Sequence, residues 1–199
     1  MFKRRIVPSQ RTSSTDPVDA YRAGSAPIWG GVGVTAGVLL GVLSIAADGL
    51  AQSWPPLAWG LAIALVSAAL FFRPVIVVNE HAVVVHNVLQ TVTVPFARLK
   101  DLETRWGLEL VVDDGSKVGA FAAPDPNRRD RKKPPSEQAS ASLVAMIRGA
   151  EEQWLEGPHR SADESKWADR APTERRWDPV GVGLTVAAFA AATVGFFLV

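Results

Sequence analysis

The residue types that most often carry catalysis are few in this 199-residue chain. It has no cysteine and only three histidines. His81 and His86 are five residues apart in or beside a predicted strand, so their side chains point to opposite faces and cannot share a metal ion. His159 stands alone in the sequence. The lack of cysteine excludes a disulfide-stapled fold and any cysteine-ligated zinc or redox site.

Two pairs of adjacent carboxylates, Asp113-Asp114 and Glu151-Glu152, have structural explanations. A catalytic carboxylate pair must converge across a cleft, whereas neighbours on one strand or helix diverge. The first pair belongs to a predicted turn, and the second to the solvent face of a predicted helix. The serines lack a G-x-S-x-G elbow, and no phosphate-binding P-loop is present. We therefore predict that the protein is not an enzyme and uses no cofactor or metal.

One basic cluster has a physical reason to bind something. Five basic residues are interrupted only by Asp130, and they are Arg128, Arg129, Arg131, Lys132 and Lys133. Such a cluster near a membrane attracts anionic lipid by about 1 kcal/mol per residue. It can equally contact a protein partner, or stay solvated and hold its segment inside during membrane insertion. Nucleic acid is disfavoured because no aromatic residues are interleaved with the charges.

Three stretches without any charged residue indicate a membrane protein, although the whole chain has a formal net charge of only +1. They cover residues 27–47, 55–72 and 179–199. About 20 apolar residues in a helix cross the hydrocarbon core of a bilayer. Four of the seven tryptophans lie at or near the ends of these stretches, where an indole can keep its N–H in the headgroup region: Trp29, Trp54, Trp59 and Trp177. We predict three transmembrane helices, the first two forming a hairpin over residues 26–72.

The basic residues set the predicted orientation. The N-terminal tail, residues 1–25, carries five of them, the short loop 48–54 carries none, and the region after Arg73 is rich in them. The positive-inside rule then places the tail and residues 73–178 in the cytoplasm and the C-terminus outside the cell membrane. A cleaved signal peptide is the rival interpretation of the first stretch, but its apolar run is about twice the usual length.

Small residues recur every four positions in the first and last apolar stretches. The first stripe is Gly33, Gly37 and Gly41, and the last is Gly183, Ala187, Ala191 and Gly195. In lipid, such stripes allow helix backbones to approach closely. We expect them to pack either on other helices of the same chain or on another subunit, which includes a second copy in a homo-oligomer.

The middle of the chain, residues 73–156, has the pattern of a small mainly-β domain. Short β-branched runs separated by tight turns, among them Asp114-Gly115, predict about six antiparallel strands between residues 74 and 122. A helix is predicted over about residues 136–156. Its apolar positions are spaced three and four apart and form one stripe: Leu143, Met146, Ile147, Ala150 and Trp154. Residues 157–178 are predicted to be a linker.

Several short motifs of this region resemble the bacterial pleckstrin-homology domain family, most closely its small membrane-anchored members from actinobacteria. Arg73-Pro74 follows the helical hairpin, a strand ends in Asn87, and Val94-Pro95-Phe96 precedes the next strand. His81-Ala82 departs from the family, which usually has a glycine in this turn. The resemblance implies a partly open barrel closed by one C-terminal helix, and it implies no enzymatic activity.

We therefore expect a non-enzymatic, multi-pass protein of the cell membrane. Its cytoplasmic pleckstrin-homology-like module would serve protein interaction, scaffolding or regulation, and no small-molecule substrate is evident. Two alternatives stay open. In the first, the protein is an accessory subunit of a larger membrane complex, such as a transporter or respiratory assembly. In the second, it is a module that senses anionic lipid through the basic cluster.

Overall fold

A computed structural model describes residues 19–105, 107–124, 139–156 and 172–197. Within these ranges the chain forms long apolar helices and a separate β-part with one helix of its own. The basic cluster around residues 128–133 and most of the predicted linker lie outside the described residues.

Within the described residues, three helices are long and apolar enough to cross a membrane, namely α1 (Ala26–Asp48), α2 (Trp54–Phe72) and α4 (Pro179–Phe197). At about 1.5 Å per residue they extend about 35, 29 and 29 Å, close to the thickness of about 30 Å of a hydrocarbon core. Large apolar side chains such as Leu43 and Phe189 are more than 60% exposed along them. A continuous apolar surface of this kind is unusual for a protein that is surrounded by water.

The β-part consists of two antiparallel sheets that enclose one apolar core. The first sheet contains, in spatial order, β1 (Asp19–Tyr21), β2 (Val75–Val78), β3 (Ala82–His86), β4 (Gln90–Pro95) and β8 (Glu174–Trp177). A short 3₁₀ turn leads to the second sheet, which contains β5 (Leu99–Glu103), β6 (Gly107–Val112) and β7 (Lys117–Pro124). The six strands predicted between residues 74 and 122 are confirmed as β2–β7.

Every second side chain along β2 and β3 points into the core. Ile76 pairs with Val85 and Val78 pairs with Val83, and each of the four side chains is at most 1% exposed. Because side chains on a strand alternate between faces, a slip of one residue would turn all four outward. At the β6–β7 hairpin, Gly115 has a φ of 80°, a conformation that a side chain disfavours.

Helix α3 (Ala139–Glu156) covers the core, as the sequence predicts. Leu143 and Ile147 are at most 1% exposed. Trp154 packs beside Phe96 of the 3₁₀ turn, with ring centroids 6.3 Å apart. The remaining members of the predicted apolar stripe, Met146 and Ala150, are partly buried against the same core.

Two strands come from segments predicted to be a tail and a linker. β1 pairs with β2 at one edge of the first sheet, and β8 pairs with β4 at the other edge. Each leads directly into an apolar helix, β1 into α1 and β8 into α4. Every residue of β8 is exposed, so backbone hydrogen bonds rather than buried side chains form this strand. The predicted tail and linker are therefore, in part, edges of the module.

Candidate functional site

The glycine stripe of α1 packs on α2 of the same chain. A side chain at Gly37 would overlap the carbonyl oxygen of Gly60, and one at Gly33 would overlap the Ser67 hydroxyl. At Gly41, an added Cβ would lie 2.9 Å from a methyl carbon of Leu57. The close approach of the two backbones therefore depends on glycine on both helices.

Helix α4 also packs on α2, but only partly through the predicted stripe. Gly183 and Ala187 are exposed, whereas Ala191 and Gly195 are buried as predicted. The other buried residues are Gly181 and Ala188. Positions 181, 188 and 195 are seven residues apart, a repeat that is typical of contact positions on helices that cross at a small angle. The predicted stripe instead repeats every four residues.

A buried carboxylate joins α4 to α2 and to the first sheet. Asp178 is 4% exposed and its Oδ2 forms an ion pair with Arg73, which directly follows α2. Its Oδ1 accepts hydrogen bonds from the backbone N–H groups of Val180 (3.0 Å) and Gly181 (3.1 Å), so Asp178 caps α4. Its own backbone N–H donates to the carbonyl oxygen of Leu89 at 2.8 Å, in the turn between β3 and β4.

The Asp178 carboxylate is favoured in its charged form despite its burial. Burial alone acts to raise the pKa of Asp178, but the hydrogen bond from Arg73 and those from the backbone N–H groups of Gly181 and Val180 outweigh it. The pKa therefore lies below its ordinary value. The ion pair is maintained throughout the neutral pH range.

His86 lies next to this ion pair. It pairs with Val75 across β2 and β3, and its Nδ1 is 3.0 Å from Oγ1 of Thr91. Burial and the nearby Arg73 guanidinium lower the pKa of His86, and the Asp178 carboxylate offsets only part of this effect. The imidazole is therefore neutral at pH 7.

We expect the free energy of unfolding to fall as the pH drops below about 6.5, the ordinary pKa of histidine. The unfolded chain then binds a proton at His86 more readily than the folded chain does, and this linkage favours unfolding. Denaturation in mild detergent at pH 7.5 and pH 5.5 measures the difference. H86N should reduce the acid-dependent loss, whereas H81N should retain it. An unchanged pH dependence in H86N would contradict the assignment.

A groove with a volume of about 570 Å³ lies between the β3–β4 turn and the strands β6 and β7. Its floor is apolar and buried, formed by Leu108, Ala120 and Ala123. Leu89 and Phe121 are exposed on its rim, 38% and 52% respectively. Such a surface can accept an apolar side chain or an extended segment of a partner.

Asn87 holds the two sheets together beside this groove. Its Nδ2 donates to the carbonyl oxygen of Gly119 and its Oδ1 accepts from the N–H of Phe121, both at 2.8 Å. The side chain thus occupies the hydrogen-bonding position of a neighbouring strand along β7. The sequence marks Asn87 only as the end of a strand, because its partners are more than 30 residues away.

The predicted carboxylate pairs have structural partners. Asp113 accepts two hydrogen bonds from Arg98, and Asp114 accepts one from the N–H of Ser116 in the hairpin turn. Glu151 pairs with Arg148 on α3 at 2.7 Å. Among the described residues, no three His, Asp or Glu side chains are grouped so that they could hold a metal ion.

Comparison with known proteins identifies no relative. No protein-family model, no curated protein and no solved structure matches this chain.

Proposed function

We propose that this protein is a non-enzymatic, multi-pass membrane protein that presents a pleckstrin-homology-like module for protein interaction, scaffolding or regulation. One observation carries the proposal: all three apolar helices connect directly to strands of the first sheet. β1 leads into α1, α2 leads into β2, and β8 leads into α4. A module connected in this way has little freedom to swing away from the helices, which suits a fixed docking platform.

The arrangement of the β-part supports the pleckstrin-homology-like assignment. The consecutive strands β2–β4 and β5–β7 form the central parts of the two antiparallel sheets, and the helix α3 that follows β7 covers the core between them. The residues that carry the resemblance also have structural roles here. Asn87 connects the sheets, Arg73 forms the junction ion pair, and Phe96 of the Val94-Pro95-Phe96 step packs in the core.

The positions of the basic residues support a cytoplasmic module in the cell membrane. Arg22, Arg73, Arg175 and Arg176 lie at the ends of the helices that face the β-part, whereas the loop 49–53 between α1 and α2 contains no charge. The positive-inside rule assigns the basic end to the cytoplasm. The C-terminal end of α4 then lies outside.

The groove beside Asn87 is the proposed contact surface for a protein partner. Its exposed rim and apolar floor match the common form of a small interaction site, in which a few apolar anchors enter a pocket. Hydrogen-bonding groups for orientation come from Gln90 and Glu109. The occupant we expect is a protein segment with one or two large apolar side chains.

Site-specific photo-cross-linking in cells tests this function. A photoreactive residue at Leu89, on the groove rim, should give a discrete product with a protein partner. Leu155 on α3 provides a matched control, since it is also a leucine and is 41% exposed, but it does not line the groove. Equal products at both positions, or none at Leu89, would contradict the proposal.

A second candidate function is that of an accessory subunit in a larger membrane complex. The exposed small residues Gly183 and Ala187 favour it, because they leave a face of α4 open to close helix packing. A photoreactive residue at Gly183 in the same cross-linking experiment separates the two functions. Products from Gly183 but not from Leu89 would favour the subunit.

A further inference from the structure

A crevice of about 180 Å³ lies where α1 and α2 meet the second sheet. Its walls come from the first turn of α1, from the last turn of α2 and from β7. The principal apolar side chains are those of Trp29, Leu70, Phe71 and Phe121. Its polar lining includes Arg22, in the connection between β1 and α1.

The crevice combines large apolar side chains that stay exposed with an exposed basic side chain. Trp29 and Phe121 remain 59% and 52% exposed although both are large apolar residues. Arg22 is exposed, and within the described parts of the chain no acidic residue is recorded in an ion pair with it. Among the described residues that line the crevice none is acidic, so this lining has a net positive charge.

The size of the crevice limits what it can hold. Pockets for whole drug-sized ligands measure about 300–1,000 Å³, and this crevice is smaller. It has room for part of one hydrocarbon chain, provided that the rest of the molecule lies outside the protein. A bilayer lipid meets this condition because its remaining chain stays among the other lipids.

We infer that this crevice binds a single anionic phospholipid, with its phosphate at Arg22 and one acyl chain between Trp29, Leu70 and Phe121. The inference rests on the membrane placement proposed above. In that placement, the first turn of α1 and the last turn of α2 lie at the boundary between headgroups and acyl chains. Tryptophan and arginine are both suited to this depth, where an apolar body and a polar end are needed together.

This site differs from the basic cluster at residues 128–133. A cluster of five charges attracts a lipid surface diffusely, whereas one guanidinium above an apolar crevice selects a single molecule with a defined position. Binding here would fix the angle between the module and the helices, because the lipid would contact α1, α2 and β7 at the same time.

Native mass spectrometry of the full-length protein tests the site. The protein is released from nanodiscs of phosphatidylcholine with or without phosphatidylglycerol, and lipid retained per protein is measured. The wild type should retain one phosphatidylglycerol. R22Q should weaken this retention about fivefold, which corresponds to the loss of about 1 kcal/mol for one basic residue at the membrane surface. A23W should fill the crevice and prevent retention of either lipid.

R175Q is the matched control, since Arg175 is an exposed arginine that also lies close to an apolar helix but does not line the crevice. It should retain phosphatidylglycerol as the wild type does. Equal losses in R22Q and R175Q, or full retention in A23W, would overturn the site. Alkaline carbonate extraction of the same variants tests the membrane placement separately from the binding of lipid in the crevice. Protein released by carbonate would contradict the membrane placement, whereas inserted protein without bound lipid contradicts this inference alone.

Discussion

Replacing Asp178 with alanine is expected to lower the free energy of unfolding by about 3 kcal/mol. The change removes the N-terminal cap of α4, worth about 1 kcal/mol, and a charge-assisted hydrogen bond with Arg73, worth about 2 kcal/mol. It also leaves the Arg73 guanidinium, which is only 33% exposed, without its partner. Unfolding followed by tryptophan fluorescence in mild detergent measures the loss.

Two further variants identify the cause of this loss. D178N keeps a side-chain oxygen that can cap α4 but removes the charge, so it should lose less than D178A. R176Q breaks the ion pair between Glu174 and Arg176, in which the arginine is 78% exposed. This variant should lower the free energy of unfolding by less than about 1 kcal/mol. A double-mutant cycle of R73Q with D178A should give a coupling energy well above that of the exposed pair. Equal effects of D178A and R176Q would show that the junction is not a specific contact.

The strands and helices with a buried face are the elements that the sequence predicts. β2 and β3 are runs of mostly β-branched residues, β4 alternates polar and apolar residues, and α3 spaces its apolar residues three and four apart, because one face of each must enter the core. β1 places only Tyr21 against the core, and β8 has no such face. They are three and four residues long, and β8 is wholly exposed, so nothing in their side-chain pattern distinguishes them from a loop. Their place is determined by the free edges of β2 and β4.

The junction between helices and sheet illustrates the same limit. Arg73 and Asp178 are 105 residues apart, and only the fold brings them together. A local signal does exist, because Asp178 directly precedes Pro179, and this combination is typical of a helix start. It predicts the cap of α4 but not the partner. The sequence therefore indicates that Asp178 has a structural role. It does not predict the contact with Arg73 that connects α4 to α2.

The packing of α1 and α4 shows why a stripe of small residues is an incomplete guide. Both helices are rich in glycine and alanine, so several stripes can be drawn on each. On α1 the predicted stripe faces α2, whereas on α4 half of it does not. The difference arises because the position of α4 is also fixed by Asp178 and by the close contact of Gly181 with the Val88 carbonyl. These contacts determine which face of α4 meets α2.

Replacing Gly37 with leucine is expected to have the largest effect on the helical part. The new side chain would meet the Gly60 carbonyl oxygen and the backbone of Ala64, and a rigid helix cannot move these atoms aside locally. The two helices must separate, so the close packing along the whole stripe is lost. We expect a loss of about 3 kcal/mol in resistance to denaturation in detergent, the upper part of the range for overpacked sites.

G31L provides the matched control on the same helix. An added Cβ at Gly31 meets nothing within 4 Å, so leucine there should change stability by less than about 1 kcal/mol. Because both variants place the same side chain on α1, their difference isolates the contact with α2 from any general effect of leucine on the helix. A G37L protein as stable as G31L would mean that the glycine stripe does not face α2. If G37L instead left the monomer stable but reduced association with a second subunit, the stripe would belong to an interface between chains.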